Sequence, residues 1–341
     1  MRIGLLAMLL LVILSACERA TVLHKFSGQA QGTTYSVTYW SQTPVERQQF
    51  EQAIAAELQR LDKLMSNYRP DSVIEHFNQS ETLEPLHVGE EISQLVLTAQ
   101  RISQATAGCY DPTVRPLFSL WGFRAQQLYM PTQDELNAIA PQLGIDNVIV
   151  SDALTLQKPH PKLSIDLSSI AQGYSVYRLT VIAEQFGIKN YLIEIGGELQ
   201  TRGKKPDGSH WRIAIERPLP GAQQLQKIVQ IQQQDPLAIM TSGTYRHFYD
   251  HDGARYSHIL DGRSLRPVTH NTVSVTVLHD DLTEADAWST ALLCLGSAEG
   301  LKVAEAYSLA VLFIDQQDNQ LTELKTGHLR EHKGIKLMDV K

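Results

Sequence analysis

From Tyr191 to Leu278 the chain divides into short runs in which apolar and polar residues alternate, among them "YLIEIGGELQ", "WRIAIERP", "QKIVQIQ", "LAIMTSG" and "TVSVTVL". A period of two places apolar side chains on one face of a strand, and short runs broken by turn residues join most simply as hairpins. This half of the chain is thereby confined to mostly antiparallel sheet. "HFYDHDGARYSHIL" continues the pattern: Asp252-Gly253 is a tight-turn signal, and His258 sits in what reads as the returning strand. Upstream, "TTYSVTYW" alternates Tyr35, Val37 and Tyr39 against polar neighbours, and "NVIVSDALTLQ" reads as another hairpin.

Helical periodicity interrupts the strands. Pro44 opens a predicted helix in which Phe50, Ile54, Leu58, Leu61 and Met65 recur at spacings of three and four, a stripe that faces a core. A second helix is predicted from about Glu91 to Ala107, with Ile92, Leu95, Val96, Ala99 and Ile102 inward and Gly108 as its stop. "TQDE" at Thr132 is a capping box for a short third. "LSIDLSSIAQGYSVYRLTVIAEQFG" reads as a strand end running into a helix closed by Gly187, and a helix from about Glu284 to Leu295 precedes the strand "LAVLFID". Helices and hairpins without strict alternation, and without an internal repeat, predict an α+β fold in one compact domain over residues 31–341.

The N-terminus obeys other rules. In "MRIGLLAMLLLVILSAC" Arg2 precedes an unbroken apolar run, Ile3 to Leu14. That run is too short for a bilayer-spanning helix of roughly 20 residues but has the length of a signal-peptide core. Residues 1–16 are therefore read as an export signal and residues 17–30 as a membrane tether. "LSAC" resembles the bacterial lipobox, in which the cysteine, here Cys17, is acylated and becomes the mature N-terminus. An ordinary signal peptide with an incidental cysteine is the other reading. Acylation would hold the domain on the periplasmic side of a bacterial inner membrane. A net charge of −7 without any basic run argues against a nucleic-acid partner. Of the remaining cysteines, Cys109 and Cys294 permit at most one disulfide and have no zinc spacing, so both are expected to pack as small apolar side chains.

No dinucleotide-binding, P-loop, zinc-protease or serine-hydrolase signature is present. Gly196-Gly197 follows an apolar strand and reads as a plain turn or as a close backbone approach to a ligand. Asp286 and Thr290 stand four apart on a predicted helix, hence on one face, where a carboxylate and a hydroxyl can offer two hard oxygens to Mg²⁺. Helix capping over Thr283 to Asp286 is the alternative. Asp166 lies ahead of a helix N-terminus near Ser168 and Ser169, where unpaired N–H groups suit an anion, and it reads either as a ligand contact or as an N-cap.

Eight segments occur in one order: "GTTYSV", "MSNYRPDS", "GCYDPTVRPLFSLWGF", "IDLSSIAQGY", "IEIGGEL", "TSGTYRHFY", "SHILDGRSLRPVTH" and "SVTVLHDDLTEADAWSTALLCLG". Together they resemble the ApbE family of FAD:protein FMN transferases. The resemblance implies an α+β fold and Mg²⁺-dependent transfer of FMN from FAD to a Thr or Ser hydroxyl of a protein through a phosphoester, with release of AMP. It implies that Asp286, Thr290 and a main-chain oxygen near Ala171 hold the metal. Tyr68 would stack beside the isoalloxazine ring; Cys109, Tyr110, Asp111, Asp166, Gln172 and the main chain near Leu260 would contact FAD. His258 falls on the family's histidine motif as a candidate base for the acceptor hydroxyl, a role that suits an imidazole titrating near neutrality. The acceptors implied are flavin-bearing subunits of membrane redox pumps or exported electron-transfer proteins. Three departures stand out: Gln31 replaces the usual Met before "GT", "LDGRSLRP" lacks the usual Asp-Pro and Thr-Gly pairs, and Ser289 sits where some relatives carry another Asp near the metal. Hydrolysis of FAD to FMN and AMP, and non-catalytic flavin binding, remain as other readings.

Overall fold

The computed structural model describes residues 22–219, 224–245, 248–252, 254–318 and 320–340. The export signal, Cys17 and Gly253 of the expected turn lie outside the described residues.

Period-two alternation builds an eight-stranded sheet from β1 (His24–Ala30), β2 (Thr33–Trp40), β3 (Asn190–Ile195), β4 (Glu198–Arg202), β5 (Leu237–Gly243), β6 (Thr272–His279), β7 (Ala310–Gln317) and β8 (Gln320–Lys325). The strands lie side by side in chain order and every neighbouring pair is antiparallel. Each connection therefore leaves from one of only two ends of the sheet. The α+β class and the single domain follow, since both faces of this sheet are covered. Ala238 and Met240 pack into the helix-side core, whereas Leu237 and Ile239 pack against the other face. There a second, three-stranded sheet of Arg212–Glu216, Leu225–Ile231 and Ile335–Asp339 contributes Ile213, Ile215 and Val229. Each fully buried aliphatic side chain contributes about 1.5–3 kcal/mol.

The helices are α1 (Arg47–Met65), α2 (Glu90–Ala105), α3 (Ala171–Gln185) and α4 (Leu282–Ala306), with shorter helical turns between. All five stripe residues of α1 and all five of α2 are buried. Pro44 lies in the lead-in, and α1 itself begins at Arg47. Beyond α2, Ala107 and Gly108 both take positive φ and end the helix. The capping box at Thr132 is present in full. Gly296, at φ 70° and ψ 173°, breaks α4 near the predicted end at Leu295, and a second helical segment follows it. Among the described residues no helix is long and apolar enough to cross a membrane.

Three expectations are corrected. The tether cannot include residues 24–30, because they form β1, paired residue for residue with β2. Phe26 is its one large apolar side chain and packs edge-on against Phe50, a contact invisible to local patterning. Cys109 and Cys294 do not pack as separate apolar side chains but form a disulfide with Cα atoms 6.0 Å apart. His258 is not within a strand: it occupies the bend between the strand Ala254–Ser257 and the bridge residues Leu260–Asp261.

Candidate active site

The site forms where β3 turns into β4 and β5 ends, at the place where α3 and α4 touch. Gly173 makes that contact possible. A Cβ there would lie 2.4 Å from the Leu282 carbonyl oxygen and 2.6 Å from Asp286 Cβ. Gly173 is in the first turn of α3, whose N–H groups have no intrahelical acceptor, and its N–H donates to Asp286 Oδ2 at 2.7 Å. The cap of α4 is Asp281, which accepts from the Glu284 N–H at 2.9 Å, so Asp286 does not cap that helix. One turn further on, Thr290 Oγ1 lies 3.0 Å from Ser242 Oγ at the end of β5, and Ser242 Oγ lies 2.7 Å from Ser289 Oγ.

Asp286 is 4% exposed. Burial pushes its carboxyl up to about 7, against the lowering effect of the Gly173 hydrogen bond. No lysine or arginine forms an ion pair with it among the described residues. A buried carboxylate that shares a cavity wall with the Thr290 and Ser242 hydroxyls and has no ion-pair partner among the described residues is a donor set that fits a hard divalent cation such as Mg²⁺.

A cavity of about 230 Å³ opens beside these residues, and a wider cleft of about 880 Å³ adjoins it. His258, Phe118, Asp166 and Ser168 line both. Cys109, Tyr110, Asp111, Gln172, Leu260, Asp286 and Thr290 line the narrower one, and Tyr68, 90% exposed, lines the wider. The sequence-predicted residues thus converge from segments far apart in the chain. Ala171, expected to act through its main chain, opens α3, and its carbonyl accepts from Ser175 Oγ at 2.7 Å.

Local bonding fixes the walls. Asp111 Oδ1 accepts from the Thr113 N–H, the Thr113 hydroxyl and the Ile145 N–H, while burial holds its carboxyl above the ordinary range. The Tyr110 hydroxyl lies 3.0 Å from Ser169 Oγ, and burial raises its pKa. Asp166 is not the N-cap of α3, a position held by Ile170 with no side-chain cap. It instead accepts from the Ser168 N–H at 2.9 Å and so shapes the approach to the helix. Ser168, Ser169 and Gln172 then bring the N-terminal end of α3 to the cavity wall, an arrangement suited to a phosphate. Gly196-Gly197 is the two-residue turn of the β3–β4 hairpin, both at positive φ. A Cβ on Gly196 would come within 3.0 Å of Gln172 Nε2, so the turn also abuts the site.

Sequence reasoning missed Glu198, Ser242 and the disulfide. Glu198 is 7% exposed, lines the narrower cavity and accepts from the Thr241 N–H at 3.1 Å. A charged residue directly after a glycine turn was the available signal for it. Ser242 carried none, because its role depends on the approach of β5 to α4. Gln31, standing in the family's Met position, donates to Ser175 Oγ at 2.6 Å.

The ApbE family pattern matches residues 31–313. A Vibrio cholerae protein named FAD:protein FMN transferase is 38% identical over 333 residues, covering 97% of this chain and 98% of the relative. An Escherichia coli protein of the same name is 36% identical over 307 residues, covering 89% and 87%. The solved flavin transferase ApbE from Vibrio cholerae superposes with a TM-score of 0.82 at 37% identity, over 91% of this chain and 99% of that one. The apo form of Pseudomonas stutzeri flavinyl transferase ApbE gives 0.83 at 34% identity, over 92% and 98%. With the ordered segments, the antiparallel sheet and the cleft between α3 and α4 all in agreement, this chain belongs to the ApbE family.

Proposed function

We propose that this chain is an FAD:protein FMN transferase that moves FMN from FAD to a Thr or Ser hydroxyl of an acceptor protein, forming a phosphoester and releasing AMP. The observation that carries this reading is the position of His258 on the wall common to the narrow, carboxylate-containing cavity and the wide, open cleft. A small donor and a protein-borne hydroxyl need two such compartments meeting at one base. The names of the relatives support the same reaction.

FAD lies along both compartments, with its ring beside the exposed Tyr68 and its pyrophosphate at the N-terminal end of α3. Asp286 and Thr290 would hold Mg²⁺, with the Ala171 carbonyl as a third oxygen. A bound Mg²⁺ supplies charge neutralisation to the pyrophosphate. Tyr110, Asp111, Asp166, Gln172, the Cys109 segment and the main chain at Leu260 orient the donor. His258 takes the proton of the acceptor hydroxyl as that oxygen bonds the FMN-side phosphorus of the FAD pyrophosphate. The bond from that phosphorus to the bridging oxygen breaks, and AMP leaves with the electron pair. An acylated Cys17 holds the enzyme on the outer face of a bacterial inner membrane, within reach of flavin-bearing subunits of redox pumps or exported electron-transfer proteins.

The test is incubation with FAD and Mg²⁺, with and without an acceptor. AMP should appear in step with a mass gain of one FMN on the acceptor. AMP release of equal rate without acceptor would mean a hydrolase, and tight FAD binding with no AMP would mean a flavin carrier. His258→Asn should retain FAD affinity within a few fold while single-turnover transfer falls by about 10²-fold or more. A near-normal rate in that variant removes the general-base role.

A further inference from the structure

The two ends of the eight-stranded sheet differ in chemistry. One end, marked by the Gly196-Gly197 turn and Gly243, holds the site described above. At the other end Trp40 of β2 pairs with Asn190 of β3, and Tyr191 with Arg202 of β4. A surface cleft of about 670 Å³ lies there, lined by Lys189, Arg202, Lys204 and Lys205, with Asp235 as the one carboxylate among its lining side chains. In a chain of net charge −7 this is a local reversal of sign. Arg202 is paired with Glu184 at 2.5 Å, and Lys205 lies over the Trp211 ring at 5.9 Å. Lys189 and Lys204 form no ion pair among the described residues.

The cleft is built firmly. Gly203, at φ 67°, sits where a Cβ would lie 2.1 Å from Asn190 Oδ1. The same Asn190 oxygen accepts from the Lys204 N–H at 3.2 Å, and Trp40 Nε1 donates to the Lys204 carbonyl at 2.5 Å. Its position relative to the N-terminus points to a partner. β1 begins at His24 opposite Tyr39, one residue from Trp40, so the exposed Val22 and Leu23 leave the fold at this same end. Cys17, which the sequence marks for acylation, lies seven residues before β1.

We propose that this cleft docks onto an anionic phospholipid surface, its lysines engaging headgroup phosphates of the same bilayer that would hold an acylated Cys17. β3 is six residues long, so the basic cleft and the catalytic cleft stand about 20 Å apart along the strands. Docking therefore turns the catalytic cleft away from the membrane and towards exported domains. The inference does not depend on the chemistry carried out at the other end.

Mature protein mixed with vesicles of phosphatidylcholine, alone or doped with phosphatidylglycerol, is briefly acetylated and its lysines are read by peptide mass spectrometry. Labelling of Lys189, Lys204 and Lys205 should fall about fivefold or more on the anionic vesicles, as expected for basic side chains at such a surface. The protection should vanish at 1 M salt, where the screening length is only about 3 Å. Exposed Lys162, four residues before Asp166 at the other end, should label equally on both. Hydrogen exchange over residues 203–209 gives a second reading: slowed by anionic vesicles in the wild type and unchanged in Lys189→Glu/Lys204→Glu/Lys205→Glu. Equal labelling on both vesicle types, or equal slowing in the triple variant, overturns the proposal. Equal protection by inorganic phosphate on neutral vesicles also overturns it and assigns the cleft to a soluble phosphate ligand. None of these measurements requires FAD, so their failure is separate from failure of the transferase reading.

Discussion

A buried carboxylate with one hydrogen bond and no ion-pair partner among the described residues is costly, and Asp286 makes that cost measurable. Its carboxyl is pushed up to about 7 by burial, whereas in the unfolded chain it titrates near the ordinary value of about 3.9. The folded state therefore keeps a proton that the unfolded state has lost, and stability of the metal-free protein falls as pH rises from about 4 through 7. Asp286→Asn should remove that slope. In chelator, the variant should be more stable than the wild type above pH 7, by on the order of 1–4 kcal/mol in denaturant titrations. It should also lose Mg²⁺-dependent AMP release. A variant less stable than the wild type at pH 8 would show that Asp286 has a compensating partner. The sequence placed Asp286 and Thr290 on one helix face, but could not choose between ligand and cap. That choice depended on Gly173, 113 residues away. The Asp281 cap removes the capping alternative, and the ligand reading rests on the resemblance to the family.

At the scale of elements, the legible parts were those whose stabilisation is local. The stripes of α1 and α2, the capping box at Thr132 and the glycine stops are written within a few residues. β1 was not legible, because its apolar face is one phenylalanine whose partner lies on α1. The Cys109–Cys294 disulfide was equally hidden, since pairing across 185 residues depends on the folded distance alone. It ties the Tyr110–Asp111 wall of the cavity to α4, which carries Asp286 and Thr290. Cross-linking across so long a loop restricts the unfolded chain strongly, with typical values of about 2–5 kcal/mol. Cys109→Ser/Cys294→Ser should therefore unfold at a clearly lower denaturant concentration than the oxidised wild type, and FAD affinity should fall several-fold as the wall loosens. An unchanged midpoint, with two free thiols found in the unfolded wild type, would show that the bond does not form.

The whole molecule is organised by a sheet whose strands follow chain order, so function divides between its two ends. Antiparallel neighbours were foreseeable from period-two alternation; the coverage of both faces was not, because the second sheet draws its third strand from Ile335–Asp339 at the far end of the chain. The N-terminal geometry carries the last prediction. β1 begins seven residues after Cys17, which at most about 3.6 Å per residue places an acylated cysteine within about 25 Å of the sheet. Acyl chains there would hold the molecule close to the bilayer, and an apolar run from Ile3 to Leu14 is too short to hold it by spanning. The mature N-terminal peptide should begin at Cys17 and carry the mass of its acyl chains. Cys17→Ala should move the protein to a fraction that high salt washes from the membrane, because the acyl anchor is gone and the attraction proposed for the basic cleft is electrostatic and screened. A variant that stays bound through salt and alkaline washes would place the anchor elsewhere, while an unmodified Cys17 in the mature wild type would remove the lipid anchor altogether.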